Sequence, residues 1–264
     1  MRQECSTSTV GVAVLVLSIF LTGCASSLYG WQVRTTSTPM PPSFQPEVFE
    51  QHSVAVFGAI TSPALRGNEG GLSYELEHIL HKVLPNWNVI SLQELAKRIN
   101  RQGLAGEYGK MRADYELSNI FDGRALRKIA TALGVRYVFQ PHLVAFSQTM
   151  TNRAQIPGFE FRIAQTRSSN MRVSLQLWDA ETGEMVWASM AETTMQNEAV
   201  SQDPVYIEDI ARATLGSILT DFKNRKTAST YTPVNKFLND LIEESVPPEK
   251  HEPQQITEPG KKSE

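Results

Sequence analysis

Residues 122–139 read DGRALRKIATALGVRYVF, and this stretch decides how the chain folds. Asp122 has a side chain preferred at helix N-caps. Gly134 suits the left-handed residue that follows a helix, and residues 135–139 are of strand-forming types. Between them, four apolar residues share one helical stripe: Leu126, Ile129, Ala130 and Leu133. A helix that passes directly into a strand predicts an α/β fold in which the helix packs on a sheet.

Two further strand and helix pairs precede this stretch. Residues 53–60 (SVAVFGAI) form a short apolar run typical of a buried strand, and a helical stripe follows over 71–84. Residues 88–92 predict a second strand, after which Ser91 and Glu94 have the spacing of a capping box. The segment 103–120 is broken by glycines and predicts only a weak helix.

Downstream, the apolar period changes from helical to alternating. Residues 171–177 alternate apolar and polar side chains, DAETG at 179–183 predicts a turn, and 185–195 returns as a strand. A last helix is predicted after Pro204. The order β-α-β-α-β, then an antiparallel hairpin and a C-terminal helix, predicts one α/β domain with a mixed sheet over residues 51–225. Pro141 has no amide hydrogen, so a sheet edge or a bulge is predicted there.

The N-terminus has the pattern of a bacterial lipoprotein signal peptide. An apolar run of about 12 residues, 10–21, is too short to span a bilayer and ends in a lipobox. The lipobox residues are Leu21, Thr22, Gly23 and Cys24. We expect residues 1–23 to be removed, and the Cys24 sulfur and new α-amino group to carry diacylglyceryl and N-acyl (palmitate) chains. The alternative is an uncleaved apolar helix with a chance cysteine.

The flanks of the predicted domain look unstructured. Residues 24–50 are rich in Ser, Thr and Pro and predict a flexible tether. Residues 226–264 predict a short amphipathic segment near 234–242 and a disordered tail rich in Pro and charge. Residue 25 is Ala, where Asp would retain the lipoprotein in the inner membrane. An outer-membrane lipid anchor is therefore expected, with the domain facing the periplasm.

The net charge and the cysteine content limit the kinds of ligand and partner that the chain can be expected to bind. The 264 residues include 25 Lys and Arg against 28 Asp and Glu, a net charge of −3, so no overall field attracts nucleic acid or anionic lipid. The two cysteines are Cys5, inside the signal peptide, and Cys24, so the predicted domain has neither a disulfide nor a thiol ligand.

Three segments resemble a known group of proteins. They are VAVF at 54–57, ALGVRYV at 132–138 and LQLWDAETGEMVW at 175–187. Together with the lipobox, they resemble the periplasmic lipoprotein superfamily that includes the curli-secretion lipoprotein CsgG, the penicillin-binding-protein activator LpoB and the N-terminal domain of TolB. The resemblance implies the fold over about 51–222. It also implies that the chain binds or assembles rather than catalyses.

Two patterns could indicate a ligand, and each has a simpler interpretation. His78 and His81 are three residues apart and could share a metal, but they lie opposite the apolar stripe and no third ligand is near. Residues 66–71 (RGNEGG) join a strand to a helix but lack the residues of a phosphate loop or a dinucleotide site. Nucleophile and metalloprotease motifs are not found in the predicted domain. We therefore predict no catalytic residues, no metal and no cofactor.

Two surface patterns could indicate a binding site. Arg124, Arg127 and Lys128 form a small basic face, which usually is only solvated surface. Trp178 and Trp187 flank the hairpin turn, and packing in the core across the turn is favoured over a binding surface.

The favoured function is a membrane-anchored, non-catalytic adaptor or activator that binds an envelope protein of wall synthesis or export. Its partner and its binding residues are not identified by the sequence, and self-association is left open. The alternative is a subunit of a curli-type secretion channel, which requires membrane strands of about 9 to 11 residues. Only five alternating residues, 159–163, are available for one. An envelope hydrolase is a third, less supported alternative.

Overall fold

A computed structural model describes residues 28–42, 44, 52–67, 69–155, 162–199 and 206–232. The eight strands in this part of the chain are β1 (Leu28–Ser37), β2 (Val54–Val56), β3 (Ile60–Thr61), β4 (Val89–Ile90), β5 (Tyr137–Gln155), β6 (Arg162–Asp179), β7 (Glu184–Ala199) and β8 (Ala228–Tyr231). Its five α-helices are α1 (Glu69–Val83), α2 (Leu92–Arg101), α3 (Ala105–Ser118), α4 (Gly123–Leu133) and α5 (Ile207–Lys223).

The strands form one mixed sheet in the order β4-β2-β5-β6-β7-β1-β8, with β3 paired to β5 beyond the end of β2. β2 is parallel to both β4 and β5, and β3 is parallel to β5. The pairs from β5 through β6, β7 and β1 to β8 are antiparallel. The predicted fold class, a single α/β domain with a mixed sheet and packed helices, is confirmed.

Part of the predicted tether is wrong. Residues 28–37 form β1, which lies inside the sheet between β7 and β8. The alternation is present, because Trp31 and Val33 are buried while Gln32 and Arg34 are exposed. Its inward row ends in Thr35 and Ser37, however, so the apolar signal is only two residues long. The Thr35 hydroxyl donates to Asp221 and the Ser37 hydroxyl donates to the Ser189 hydroxyl, so both polar groups are satisfied although they are buried.

Part of the predicted tail is also wrong. Residues 228–231 form the edge strand β8, paired with residues 33–36 of β1. Only Tyr231 of this short strand is buried, so nothing in its pattern distinguishes it from a loop. The predicted amphipathic segment near 234–242 and the rest of the tail lie outside the described residues.

The proline in β5 lies where its missing amide hydrogen has no strand to pair with. Pro141 pairs with Leu175 of β6 on one side. On the other side, the Phe139 carbonyl accepts from the Phe57 amide, and backbone groups two residues apart along a strand point the same way. Pro141 therefore faces the interval between β2 and β3. β5 is an interior strand, so Pro141 is not at an edge of the sheet but faces a local gap in the pairing, and a register shift follows between Leu143 and Ala145.

One face of the sheet, here called the first face, is covered by α1 and α5. These helices are parallel, since Glu75 meets Arg212 and, further along, Lys223 meets the Val83 carbonyl. Phe222 of α5 lies in an aromatic cluster at the centre of this core. The cluster also contains Trp87, Phe139 and Trp187, with ring centroids 5.7, 6.0 and 4.8 Å from that of Phe222.

The opposite face, here called the second face, is covered only in part. Helices α2, α3 and α4 pack on β4, β2, the start of β5 and the end of β6. Phe121 anchors this layer, because its ring stacks on Tyr115 at 4.2 Å and meets Trp178 at 5.2 Å. Beyond these residues, the second face of β6, β7 and β1 has alternate side chains that are exposed.

The predicted helix signals are confirmed where they can be compared. The Ser91 hydroxyl accepts from the Glu94 amide at 3.2 Å, and the Asp122 carboxylate accepts from the Arg124 and Ala125 amides at 2.9 Å. Helix α3 is stronger than predicted. Its 14 residues include two glycines, but Met111 and Tyr115 are buried one turn apart, so tertiary packing outweighs the weak local propensity.

The hairpin turn between β6 and β7 provides a test of local strain. Gly183 has φ of +80°, and a Cβ added there would lie 3.1 Å from the Gly123 Cα atom, while one at Gly134, with φ of +71°, meets nothing closer than 3.9 Å. Gly183→Ala is expected to lower the free energy of unfolding by about 2–3 kcal/mol, and Gly134→Ala by about 1 kcal/mol. Urea unfolding measures both. Equal losses would show that the contact with Gly123 has no effect.

Candidate functional site

The predicted lipidation site, Leu21 to Cys24, lies outside the described residues, as does Pro204. His78 and His81 lie on α1 with their side chains largely exposed. Burial and the nearby Lys82 lower the pKa of His78, which keeps it uncharged at neutral pH. Within the described ranges, no three His, Cys, Asp or Glu side chains are grouped so that they could hold a metal.

The loop before α1 is held by the first residue of the helix. The Glu69 carboxylate accepts from the Thr61 hydroxyl at 2.7 Å and from the Gly67 amide at 2.6 Å. These hydrogen bonds, that from Thr61 above all, lower the pKa of Glu69. A carboxylate at this position would repel a phosphate, so the turn interpretation of residues 66–71 fits the geometry.

The basic face on α4 is partly neutralised by neighbours. Lys128 forms an ion pair with Glu107 at 2.6 Å, and Arg127 donates to the Glu181 carbonyl at 2.5 and 3.0 Å. These contacts tie α4 to α3 and to the hairpin turn. The solvated-surface interpretation accounts for them.

The two tryptophans of the hairpin are both buried, as predicted, but they do not pack across the turn. Trp187 lies in the first-face core, and Trp178 lies in the second-face core. A register shift between Leu177 and Trp178 places the two side chains on opposite faces. Sequence spacing alone could not predict the extra residue of this bulge.

The uncovered part of the second face is the candidate binding surface, here called the open face. Strand register arranges its side chains in rows across β6, β7 and β1. One row is Arg172, Glu192 and Arg34, and the next is Ser174, Met190 and Thr36. A third row, on the other side of the arginines, is Asn170, Thr194 and Gln32. None of these positions was identified from the sequence as part of a binding surface. The alternation of polar residues along each strand was a signal that they face solvent.

The row of Arg172, Glu192 and Arg34 contains two cations and one anion. Arg172 forms an ion pair with Glu192, directly opposite on β7. Arg34 lies directly across from Glu192 on its other side, and its guanidinium has no hydrogen-bond or ion-pair partner among the described residues. Among the described residues, the open face therefore presents a guanidinium without a partner, beside a carboxylate that is already paired with Arg172. An acidic group of a binding partner would fit beside Arg34.

An apolar strip runs along β7 beside the charges. Met190 is 42% exposed and Met185 is 45% exposed, and Ala188 lies between them on the same face. Unbranched methionine side chains adapt to differently shaped partners. Next to the charged row, a cavity of about 350 Å³ is lined in part by Ala145, Asn170 and Arg172.

Helix α3 forms the wall of the open face and is held firmly. Arg112 donates to the Ala59 carbonyl and to the Gln140 side chain, each at 3.2 Å. The Tyr115 hydroxyl donates to Gln176 at 2.7 Å, and burial raises its pKa to about 12. His142, at the border with β6, has its pKa lowered by burial, so it adds no charge at neutral pH. The open face is therefore bordered by a rigid wall.

A second cleft, of about 380 Å³, lies at the C-terminal end of α4. It is lined in part by His52, Arg127 and Arg136. Arg136 donates to the Asp179 carboxylate at 2.9 and 3.1 Å and forms an ion pair with Glu181 at 3.2 Å. These cations are already engaged by the protein itself. The open face is therefore the better candidate for binding.

The fold and this surface define a class: a single α/β domain whose mixed sheet is packed by α1 and α5 on the first face and leaves part of the second face free for a partner. In the described part of the chain, no helix combines the length and apolarity needed to cross a bilayer.

No family model matches the chain, and no curated protein is significantly similar to it. Three solved structures are distantly similar. The PelC dodecamer from Paraburkholderia phytofirmans is 12% identical, covering 71% of this chain and 95% of that chain, with a TM-score of 0.39. Lipoprotein GNA1162 from Neisseria meningitidis is 14% identical, covering 66% and 96%, with a TM-score of 0.39. The LpoB C-terminal domain from Escherichia coli is 14% identical, covering 53% and 81%, with a TM-score of 0.35. At these values, the fold assignment depends on the strand order and core described above.

Proposed function

We propose that this chain is a bacterial lipoprotein, anchored through acylated Cys24 to the periplasmic side of the outer membrane, that binds another envelope protein without catalysing a reaction. The observation that carries the proposal is the open face. The open face lies on β6, β7 and β1, which are antiparallel, and an antiparallel sheet can leave one face to solvent. The support for binding therefore comes from the side chains on this face, an apolar strip on β7 beside Arg34, whose guanidinium has no partner among the described residues.

The polar groups elsewhere support binding rather than catalysis. Glu75 with Arg212, and Asp221 with Tyr231, join elements that pack on the first face of the sheet. Such buried pairs serve the fold. A secretion channel has less support, because the described ends of β5 and β6, residues 150–155 and 162–167, are mostly polar, whereas a membrane strand needs alternate apolar residues that face lipid. A hydrolase has no proposed nucleophile.

Acylation is tested by the mass of the protein extracted from membranes in mild detergent. The proposal expects a mature chain that begins at Cys24 and carries diacylglyceryl and N-acyl groups. Cys24→Ala is expected to retain the uncleaved signal peptide and to lack both modifications. An unmodified wild-type chain would contradict the anchor.

Binding is tested by a photo-crosslinking amino acid placed in cells at Met190 or at Arg34. We expect both positions to crosslink to the same envelope protein, identified by mass spectrometry. Matched positions at Lys97 on α2 and Thr182 in the hairpin turn, both exposed and away from the open face, are expected not to. An Arg34→Glu change should weaken the crosslink from Met190. Equal labelling from all four positions would contradict a specific surface.

A further inference from the structure

The open face has the width of one α-helix. Its strands β7 and β1, and the edge strand β8 beside them, contribute no residue to the second-face core in the described part of the chain. Thr230 and Ala228 of β8 continue the Arg34 and Thr36 rows and are exposed. Neighbouring strands lie about 4.8 Å apart, so β6 and β8 are about 14 Å apart, and an α-helix with its side chains is about 10–12 Å across. One helix parallel to the strands would therefore cover this face.

The chain leaves the sheet at the edge of this face. Tyr231 is the last residue of β8 and pairs with Val33 of β1, so Thr232 follows at about the level of Gln32. Threonine is favoured at helix N-caps, and proline is favoured at the first helical position. Thr232 and Pro233 are thus typical of a helix that begins directly after the edge strand.

The sequence after Pro233 has the stripe that such a helix needs. The predicted amphipathic segment 234–242 (VNKFLNDLI) lies outside the described residues, and its sequence has apolar residues at helical spacings. They are Val234, Phe237, Leu238, Leu241 and Ile242. Lys236 is opposed by Asp240 and by the following Glu243 and Glu244, so this part of the chain is acidic.

A helix that runs from Thr232 back along the strands would bring matching residues together. At about 1.5 Å per residue, Leu241 lies about 13 Å from Thr232. The Met190 row likewise lies about 13 Å from the Gln32 row, at about 3.3 Å per residue. Asp240 would then lie between the Met190 row and the Arg34 row. The apolar stripe would meet the apolar strip, and the acid would meet the guanidinium.

The other charges around this face leave that match intact. Arg172 and Glu192 form an ion pair with each other. Glu116 of α3 acts on His142 at the far border, which is separated from β1 by β6 and β7. Glu198 is six residues from Glu192 along β7, which is about 20 Å. The charge left for an acidic residue of a helix is therefore the guanidinium on β1.

We propose that residues 233–244, here called the docking segment, fold as a helix on the open face of the same chain. Its apolar stripe would lie on Met190, and Asp240 would lie beside Arg34. A segment joined directly to the sheet has an effective concentration in the millimolar range, so weak contacts are enough to hold it. When docked, it occupies the surface that we propose for an envelope protein, and that partner must displace it. This competition rests on the proposed function, whereas the docking does not.

The docking is tested on the full-length chain, purified in mild detergent without any other protein. A photo-crosslinking amino acid replaces Thr36, which is exposed in the Met190 row. We expect mass spectrometry to find crosslinks to the docking segment, and none to it from the same amino acid at Lys97 on α2. Mixing isotopically light and heavy chains shows whether a crosslink lies within one chain. Crosslinks that join light to heavy chains, equal crosslinking from Lys97, or none from position 36 would overturn the proposal.

Two double variants of the docking segment test the apolar contact. Leu241→Asp with Ile242→Asp places charge in the stripe and should lower the yield of the internal crosslink by about tenfold. Asn235→Asp with Asn239→Asp adds the same charge on the polar side, and its yield should not fall. Equal losses in the two variants would overturn docking through the stripe.

A charge exchange tests the polar contact. Arg34→Glu should lower the yield of the internal crosslink, and adding Asp240→Arg should restore it because the two charges are exchanged. A double variant no better than Arg34→Glu alone would overturn the placement of Asp240.

The competition is measured in cells by the crosslink from Met190 to an envelope protein. The variant with Leu241→Asp and Ile242→Asp should raise its yield, because the surface is no longer occupied. An unchanged yield would overturn the competition. An internal crosslink with no envelope partner would overturn the proposed function alone, and an envelope partner with no internal crosslink would overturn the docking alone.

Discussion

Replacing Arg212 with Met is expected to lower the free energy of unfolding by about 3–5 kcal/mol. Arg212 of α5 donates to both carboxylate oxygens of Glu75 on α1, at 2.8 and 2.9 Å. The Glu75 side chain is only 3% exposed, so its carboxyl group would be left buried without its partner. Since the pair joins the two helices of the first face, we expect the loss in global unfolding by urea.

A double replacement separates the cost of an unpaired charge from the value of the pair. Glu75→Leu with Arg212→Met removes both charges and fills similar volume, so its stability should lie within about 1–2 kcal/mol of the wild type. Lys128→Met, which breaks an exposed pair with Glu107 on α3, is a surface control and should cost less than about 1 kcal/mol. A double variant as unstable as the single one would contradict this account.

The sequence predicts those parts of the fold whose signals are local. The stripe of α4, its Asp122 cap and its Gly134 terminus agree with the structure because each depends on residues within a few positions. The alternation from 171 to 177 likewise marks β6. The predicted strand ends are less accurate. β5 extends to Gln155 because its continuation is stabilised by pairing with β6 rather than by an apolar pattern of its own.

The missed elements depend on partners distant in sequence. The inward-facing Thr35 of β1 gives no strand signal by itself. Its burial depends on a hydrogen bond to Asp221 of α5, which is 186 residues away in the sequence. Glu75 and Arg212 are 137 residues apart, and each alone suggests a surface charge. The open face could not be located for the same reason. Polar side chains at alternate positions of a strand predict only that this side of the strand faces solvent. The order of the strands in the sheet is needed to show which of them lack a covering helix.

The corrected start of the domain changes the geometry of the proposed function. A tether of 26 residues would have let the domain move freely above the membrane. With β1 beginning at Leu28, the Leu28 end of the sheet stays within about 14 Å of Cys24. The Gln32 row of the open face lies nearer this anchored end of β1 than the Met190 row does. A partner bound there would itself stand close to the bilayer.

Asp221→Ala is expected to lower the free energy of unfolding by about 3–5 kcal/mol, because one buried carboxylate joins α5 to β1 and β8. It accepts hydrogen bonds from Thr35 of β1, from the Ser229 hydroxyl at 2.8 Å and from the Tyr231 hydroxyl at 2.5 Å. Asp221 and Thr35 are essentially inaccessible to solvent, so alanine would leave buried donors unpaired. Hydrogen exchange should show β8 opening first, since its other contacts are few.

Two matched variants and a pH series identify the cause. Asp221→Asn keeps one acceptor oxygen and should lose about half as much stability, while Tyr231→Phe removes one donor and should lose about 1–2 kcal/mol. Burial, together with the hydrogen bond to Asp221, raises the pKa of Tyr231 above its ordinary value of about 10. The folded state therefore holds this proton more tightly than the unfolded state. Its contribution is complete below about pH 10 and is lost as the pH rises further. Urea unfolding should consequently show a shallower alkaline decline for Tyr231→Phe than for the wild type, and parallel declines would contradict a buried, protonated Tyr231 bonded to Asp221.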